Sequence, residues 1–178
     1  MDMVLTEEQA AIDAAVRKIC GNFTDEYWTE CETDLRFPEE YYQAMAGAGF
    51  LGITMPEELG GAGLGVTEAA IMMQAASSSG GGYSAASAIH INLFGPHAIV
   101  VHGTPEQKQR FLTPLIRGEE KACFGVTEPD AGLDTTSITT FAKRAPGGYR
   151  ITGRKIWTST AQVVPPANRR AFPVFHRS

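Results

Sequence analysis

The stretches FGVTEPDAGLD, Phe124 to Asp134, and GRKIWTST, Gly153 to Thr160, decide how this chain is read. The first begins as a short mixed strand, Ala122 to Thr127. It then breaks into Pro129, Asp130, Gly132 and Asp134, residues that favour a turn with exposed backbone N–H groups. Such loops suit an anionic ligand. The second stretch sets Ile156 and Trp157 on a β-like segment, where Thr158, Ser159 and Thr160 offer hydroxyls to a heterocycle and the indole offers an apolar face. Together they read as one cofactor-holding edge of a sheet.

Between the two stretches, Ile138, Thr140 and Ala142 alternate, as do Tyr149 and Ile151, around Pro146-Gly147-Gly148, which is the pattern of a hairpin. Strands confined to this part of the chain make a sheet of roughly three or four members, marginal in water if one face stays uncovered. Upstream the periodicity is helical. Thr6 and Gln9 have capping-box spacing ahead of Ile12, Ala15, Val16 and Ile19, which predicts a helix from Glu7 to about Phe23. Pro38 at the favoured first position starts a second helix, continued by Tyr41, Tyr42, Met45 and Ala46 and stopped by Gly47 and Gly49. Thr67 to Ser78 is apolar on nearly every face, the mark of a buried helix. Pro96 separates Ser84–Phe94 from Pro96–His102, and Thr104, Pro105 and Gln107 combine an N-cap, a first-position proline and a capping box. The expected fold class is α+β: an all-α helical bundle over residues 1–120, then an incomplete small β domain, part of a barrel, over 121–162. The Pro/Arg-rich remainder, 163–178, has no consistent period and is expected to be unstructured.

The two opening stretches, with GFLGITMPEELGGAGLG (Gly49 to Gly65) and TPEQKQRFLTPLIRGEEKACFGVTEP (Thr104 to Pro129), resemble the acyl-CoA dehydrogenase family from Leu5 to Gln162. The resemblance implies a bound FAD. By it, Phe124, Val126 and Thr127 lie against the flavin ring and its edge, and Gly132 and Leu133 beside the pyrophosphate. Trp157 packs near the isoalloxazine, and Ser159 lies near the ring edge. The family usually carries serine at the Leu133 position, serving both cofactor and acyl-CoA, so this chain lacks that hydroxyl contact with substrate. The implied reaction is the α,β-dehydrogenation of an acyl-CoA thioester with transfer of electrons to an acceptor, in an assembly that is a homo-oligomer when full length. The family's glutamate base lies in a C-terminal helical domain, so no catalytic residue is assigned here. The resemblance ends abruptly after Gln162, and the expectation is a truncated chain that by itself binds FAD weakly or not at all and is inactive. The other reading is a non-catalytic fragment or binding module that lacks stable FAD binding and pairs its open sheet edge with another chain.

Taken on their own, several of these residues have plainer readings. Trp157 alone reads as a core residue, and Glu128 and Asp130 read as strand-end and turn formers. The loop Gly60 to Gly65 fails GxGxxG spacing and reads as a tight turn between helices. His90, His97 and His102 lack the i, i+4 pairing of metal ligands, and Cys20, Cys31 and Cys123 form no CxxC pair, so no metal site is expected. An odd number of scattered cysteines suits a reducing compartment. At 178 residues the chain has room for a sizeable core, and a net charge of −5 argues against a nucleic-acid partner. MDMVLTEEQ has the form of neither a secretory signal nor a presequence, and no apolar run of spanning length is expected, so the expected location is cytoplasmic without a membrane span.

Overall fold

The computed structural model describes residues 4–161, and the expectation for the tail falls on residues outside these. A first compact unit ends at Lys121 and a second begins at Ala122.

The first unit is helical. Helix α1, Glu7–Cys20, opens on the expected capping box: Thr6 Oγ1 accepts the Gln9 N–H at 3.2 Å, and Gln9 Oε1 accepts the Thr6 N–H at 3.1 Å. Ile12, Val16 and Cys20 recur every fourth residue and form its buried stripe. The helix stops before Phe23, whose N–H turns back to the Cys20 carbonyl. The Phe23 ring joins Tyr27, Trp28 and Tyr41 in an aromatic cluster, with Tyr41 edge-on at 5.5 Å. Helix α2, Asp25–Thr33, buries Trp28 and Cys31 and has no sequence expectation behind it. Helix α3, Glu39–Gly47, has Pro38 at its N-cap rather than its first position, and it buries Tyr41, Tyr42 and Met45. Gly49, at φ +82°, turns the chain out of it.

Two short 3-10 turns, Phe50–Gly52 and Glu57–Leu59, lead into the glycine-rich loop. That loop folds back on its own approach. Ala62, Gly63 and Leu64 donate to the carbonyls of Gly52, Met55 and Ile53 at 3.0, 2.9 and 2.9 Å. A Cβ at Gly61 would lie 2.2 Å from the Met55 carbonyl oxygen, so the glycine is there for close packing of backbone.

Helix α4, Val66–Ser77, packs against α1 and against α5, Gly82–Phe94. Gln9 of α1 donates to Glu68 of α4 at 2.9 Å. Pro96 caps a short α6, His97–His102, so the expected division falls between Phe94 and His97. By length and composition Gly82–His102 is apolar enough to cross a membrane, which corrects the expectation that no such run exists. A core helix passes the same test, and α5 buries Ala85, Ala86, Ala88, Ile89 and Ile91. Helix α7, Pro105–Ile116, has the full Thr104/Gln107 capping box and packs Leu112 and Ile116 on Met55. Buried Asn92 links α5 to α3 and α7 by donating to the Tyr42 hydroxyl at 3.2 Å and the Leu115 carbonyl at 3.4 Å. Burial pushes the Tyr42 phenol up to about 12, so it stays a neutral donor to the Glu120 carbonyl.

The second unit holds one antiparallel hairpin, β1, Phe141–Ala145, and β2, Gly148–Thr152, with Phe141 opposite Thr152 and Ala145 opposite Gly148. Pro146 and Gly147, the latter at φ +80°, make its turn. Among the described residues the sheet has two strands, where roughly three or four were expected. Ala122 to Thr127 is not a strand, because only Phe124 finds a bridge partner. The Trp157 segment is not one either, because Trp157 and Thr160 take left-handed φ values of +56° and +61° that break a ladder.

Candidate functional site

The TEPDA stretch closes on itself. Glu128 and Ala131 exchange backbone bonds at 3.0 and 3.2 Å across Pro129 and Asp130, the tight turn that proline and aspartate favour. This turn carries the Glu128 side chain inward, where it is 5% exposed. Its Oε2 accepts from the Thr139 N–H at 2.7 Å and the Thr139 hydroxyl at 2.8 Å, and its Oε1 from the Thr140 N–H at 2.9 Å and Lys155 Nζ at 2.9 Å. Lys155 Nζ also donates to the Val126 carbonyl at 2.8 Å. The Thr140 side chain, the first cause, holds the Glu128 pKa down. Lys155 and the Thr139 and Thr140 amides lower it further, well below the usual carboxylate range.

Lys155 thereby starts a second segment running antiparallel to the first. The Ile156 N–H donates to the Thr127 carbonyl at 2.9 Å, Phe124 bridges Ser159, and the Thr160 hydroxyl donates to the Ala122 carbonyl at 2.9 Å. Gly125 lets the segments approach, since a Cβ there would meet the Thr158 hydroxyl at 3.1 Å. The two sequence stretches therefore form one irregular ribbon. Five residues singled out from sequence lie on it: Phe124, Val126 and Thr127 on one side, Trp157 and Ser159 on the other. Phe124, Val126 and Thr127 are half-buried, and Ser159 is exposed. The left-handed backbone throws the Trp157 indole outward to 85% exposure, which removes its reading as a core residue.

Gly132 and Leu133 lie past the turn, in a loop pinned by Asp134, which accepts from the Thr136 N–H at 3.1 Å. Nothing crowds a Cβ at Gly132, and Leu133 is fully exposed. Sequence reasoning missed the hub of the site. Glu128 closes the turn with its backbone, as expected, but its side chain is also a buried acceptor of four donors, and Thr139, Thr140 and Lys155 had no expected role in the site. The available signal was that Lys155, after Arg154, stands directly before the apolar Ile156-Trp157 pair, where a half-buried ammonium needs a partner.

Residues 6–119 match the family described as "Acyl-CoA dehydrogenase, N-terminal domain". The chain belongs to the acyl-CoA dehydrogenase family. The short-chain specific acyl-CoA dehydrogenase of Clostridium acetobutylicum is 35% identical over 163 residues, 92% of this chain and 43% of that protein. Benzylmalonyl-CoA dehydrogenase of Aromatoleum aromaticum is 32% identical over the same shares of the two chains. Glutaryl-CoA dehydrogenase of Mycobacterium smegmatis superposes with a TM-score of 0.80 at 25% identity, covering 90% of this chain and 41% of that one. The chain thus spans about two fifths of the length of these acyl-CoA dehydrogenases.

Proposed function

We propose that this chain contributes the N-terminal helical domain and the opening of the flavin-holding domain to an FAD-dependent dehydrogenation of an acyl-CoA thioester. One observation carries the reading. The Phe124–Thr127 and Ile156–Ser159 segments are hydrogen-bonded into a single ribbon, and an uncovered tryptophan stands on it.

The residues present fit an FAD. The Trp157 face gives apolar cover for a flat heterocycle, the Thr127 and Ser159 hydroxyls supply hydrogen bonds, and Phe124 and Val126 lie half-buried on the same side of the ribbon as Thr127. The uncrowded backbone at Gly132 and Leu133 suits an anionic pyrophosphate, and Leu133 meets a thioester substrate through apolar and backbone contact alone. FAD, when bound, supplies the acceptor for the hydride that leaves the acyl chain.

The described acids of the second unit are poor general bases. Glu128 is saturated by donors and held ionised, Asp130 is exposed, and Asp134 accepts from Thr136 and Ser137. Proton abstraction from the thioester therefore needs a carboxylate that these residues do not provide. Redox exchange with an acceptor protein and assembly into a homo-oligomer belong to this reading, as does a cytoplasmic location. The two-stranded hairpin, with Phe141, Tyr149 and Ile151 exposed, favours a second reading as a non-catalytic module that pairs with another chain.

Titration of the full chain with FAD tests the first reading. Trp28 is buried, so acrylamide quenching of tryptophan emission reports mainly Trp157, and saturable protection by FAD is expected. Addition of an acyl-CoA series with an acceptor dye is expected to give no reduction above the blank. No protection at millimolar FAD would remove the flavin reading, and dye reduction would show that a base is present after all.

A further inference from the structure

We infer that Glu128 and Lys155 are a pair of positioning residues that set the register of the ribbon and so determine where Trp157 and Ser159 stand relative to Phe124 and Thr127. The inference rests on the proposed flavin reading for its consequence, but not for its geometry. The two segments pair through an isolated bridge rather than a continuous ladder, and left-handed residues at Trp157 and Thr160 stand where a ladder would continue. An interrupted pairing is weakly specified against slippage, and something else must fix it.

Lys155 is placed to do so. Its ammonium is bound on one side by the Val126 carbonyl at 2.8 Å and on the other by Glu128 Oε1 at 2.9 Å, so a single side chain ties the second segment to two points of the first. A slip of one residue would carry Lys155 to the opposite side of the ribbon. A slip that brings Ile156 to its place would leave Glu128 buried without its counter-charge. Glu128 is fixed independently of Lys155. The Thr139 and Thr140 amides and the Thr139 hydroxyl hold its carboxylate from the approach to β1, and the Pro129-Asp130 turn holds its backbone. The pair therefore joins three stretches of chain, 126–128, 139–140 and 155–156, at one buried ionic point. Breaking a buried charge pair by removing one partner leaves the other uncompensated, which is why this contact is specific where a surface pair would not be.

The test uses the full chain in four forms: wild type, Glu128→Gln, Lys155→Met and the double variant. Lys155→Arg is added as the conservative control. Amide exchange at Ile156, whose N–H donates to Thr127, reads the register directly and needs no flavin. Each single substitution is expected to speed exchange at Ile156 by about tenfold or more, the double variant little further, and amides of α1 and α4 not at all. Lys155→Arg is expected to recover most of the protection. An Ile156 amide as protected in Glu128→Gln and Lys155→Met as in wild type would overturn the inference. If Glu128→Gln also exposes the hairpin amides of 141–152, Lys155→Met decides, because it leaves the Thr139 and Thr140 bonds in place.

The FAD arm separates the two claims. Wild type that shows no FAD protection of Trp157 removes the flavin reading while the Ile156 result still decides the pair. Wild type that binds FAD alongside a Lys155→Met variant with an opened ribbon and unchanged FAD affinity would overturn the positioning role. The expected result is a loss of affinity of about tenfold, recovered by arginine.

Discussion

Glu128 shows how one side chain converts a turn into a scaffold, and its ionisation has a testable consequence. Its donors stabilise the charged form, so its folded pKa lies below its unfolded value. The stabilisation is therefore complete above the unfolded value of about 4.3, declines as pH falls below it, and is gone once pH passes the folded value. Thr139 and Thr140 amide protection should accordingly persist through the range where ordinary carboxylates titrate. A midpoint for its loss near the unfolded value would mean that the carboxylate is not held as described. Gly61 makes a second prediction at this scale. Its Cβ would overlap the Met55 carbonyl, a backbone atom that cannot swing away, so Gly61→Ala should destabilise the first unit by about 1–3 kcal/mol. Thermal melts should separate it from Gly47→Ala, where the added methyl meets nothing. Equal melting of the two would show that the loop yields.

Helix starts with chemical punctuation were legible, whereas α2, which has neither a cap bond nor a visible apolar period, was not. The capping boxes at Thr6 and Thr104 involve two hydrogen bonds between residues three apart, so sequence spacing alone locates them. Helix α2 escaped because Thr24 makes no side-chain cap bond and only Trp28 and Cys31 are buried, too few to display a helical period. Strand expectations failed for a related reason. A strand exists only through its partner, and the alternation around Ala122–Thr127 says nothing of whether a neighbour is present. In the site, the Phe124–Ser159 bridge joins two residues that the family motif singles out, whereas the Glu128–Lys155 contact spans 27 positions that no periodicity connects. If the Thr104 box anchors α7, Thr104→Ala should cost about 1 kcal/mol, and Leu112→Ala, which empties a site of zero exposure, about 2–5 kcal/mol. Urea melts of the first unit should rank them in that order. The reverse order would place the stability of α7 in its cap rather than in its packing on Met55.

At the scale of the whole molecule, charge and apolar exposure pull toward different kinds of association. Residues 1–121 carry 17 Asp and Glu against 7 Lys and Arg, whereas residues 122–161 carry 3 against 5, the latter all between Lys143 and Lys155. Opposite signs on the two units favour contacts between chains that salt would weaken, because exposed charges are screened beyond about 8–10 Å at physiological ionic strength. The hairpin offers a different surface. Tyr149 and Ile151 share one of its faces, and Phe141 stands on the other, all more than two fifths exposed and flanked by unpaired strand edges among the described residues. Apolar contact is not screened, and Arg144 over the Tyr149 ring at 5.7 Å covers only part of it. The apolar term should win, so the chain is expected to self-associate with rising concentration, and sedimentation velocity should show this as strongly in high salt as in low. Tyr149→Lys with Ile151→Lys, which adds like charges to one face of the hairpin, should return the chain toward a monomer. Association that vanishes in high salt would assign it to the opposed charges. A wild type that stays monodisperse and melts in one cooperative step would show that the hairpin is covered within the chain itself, and would favour the binding-module reading over the dehydrogenase one.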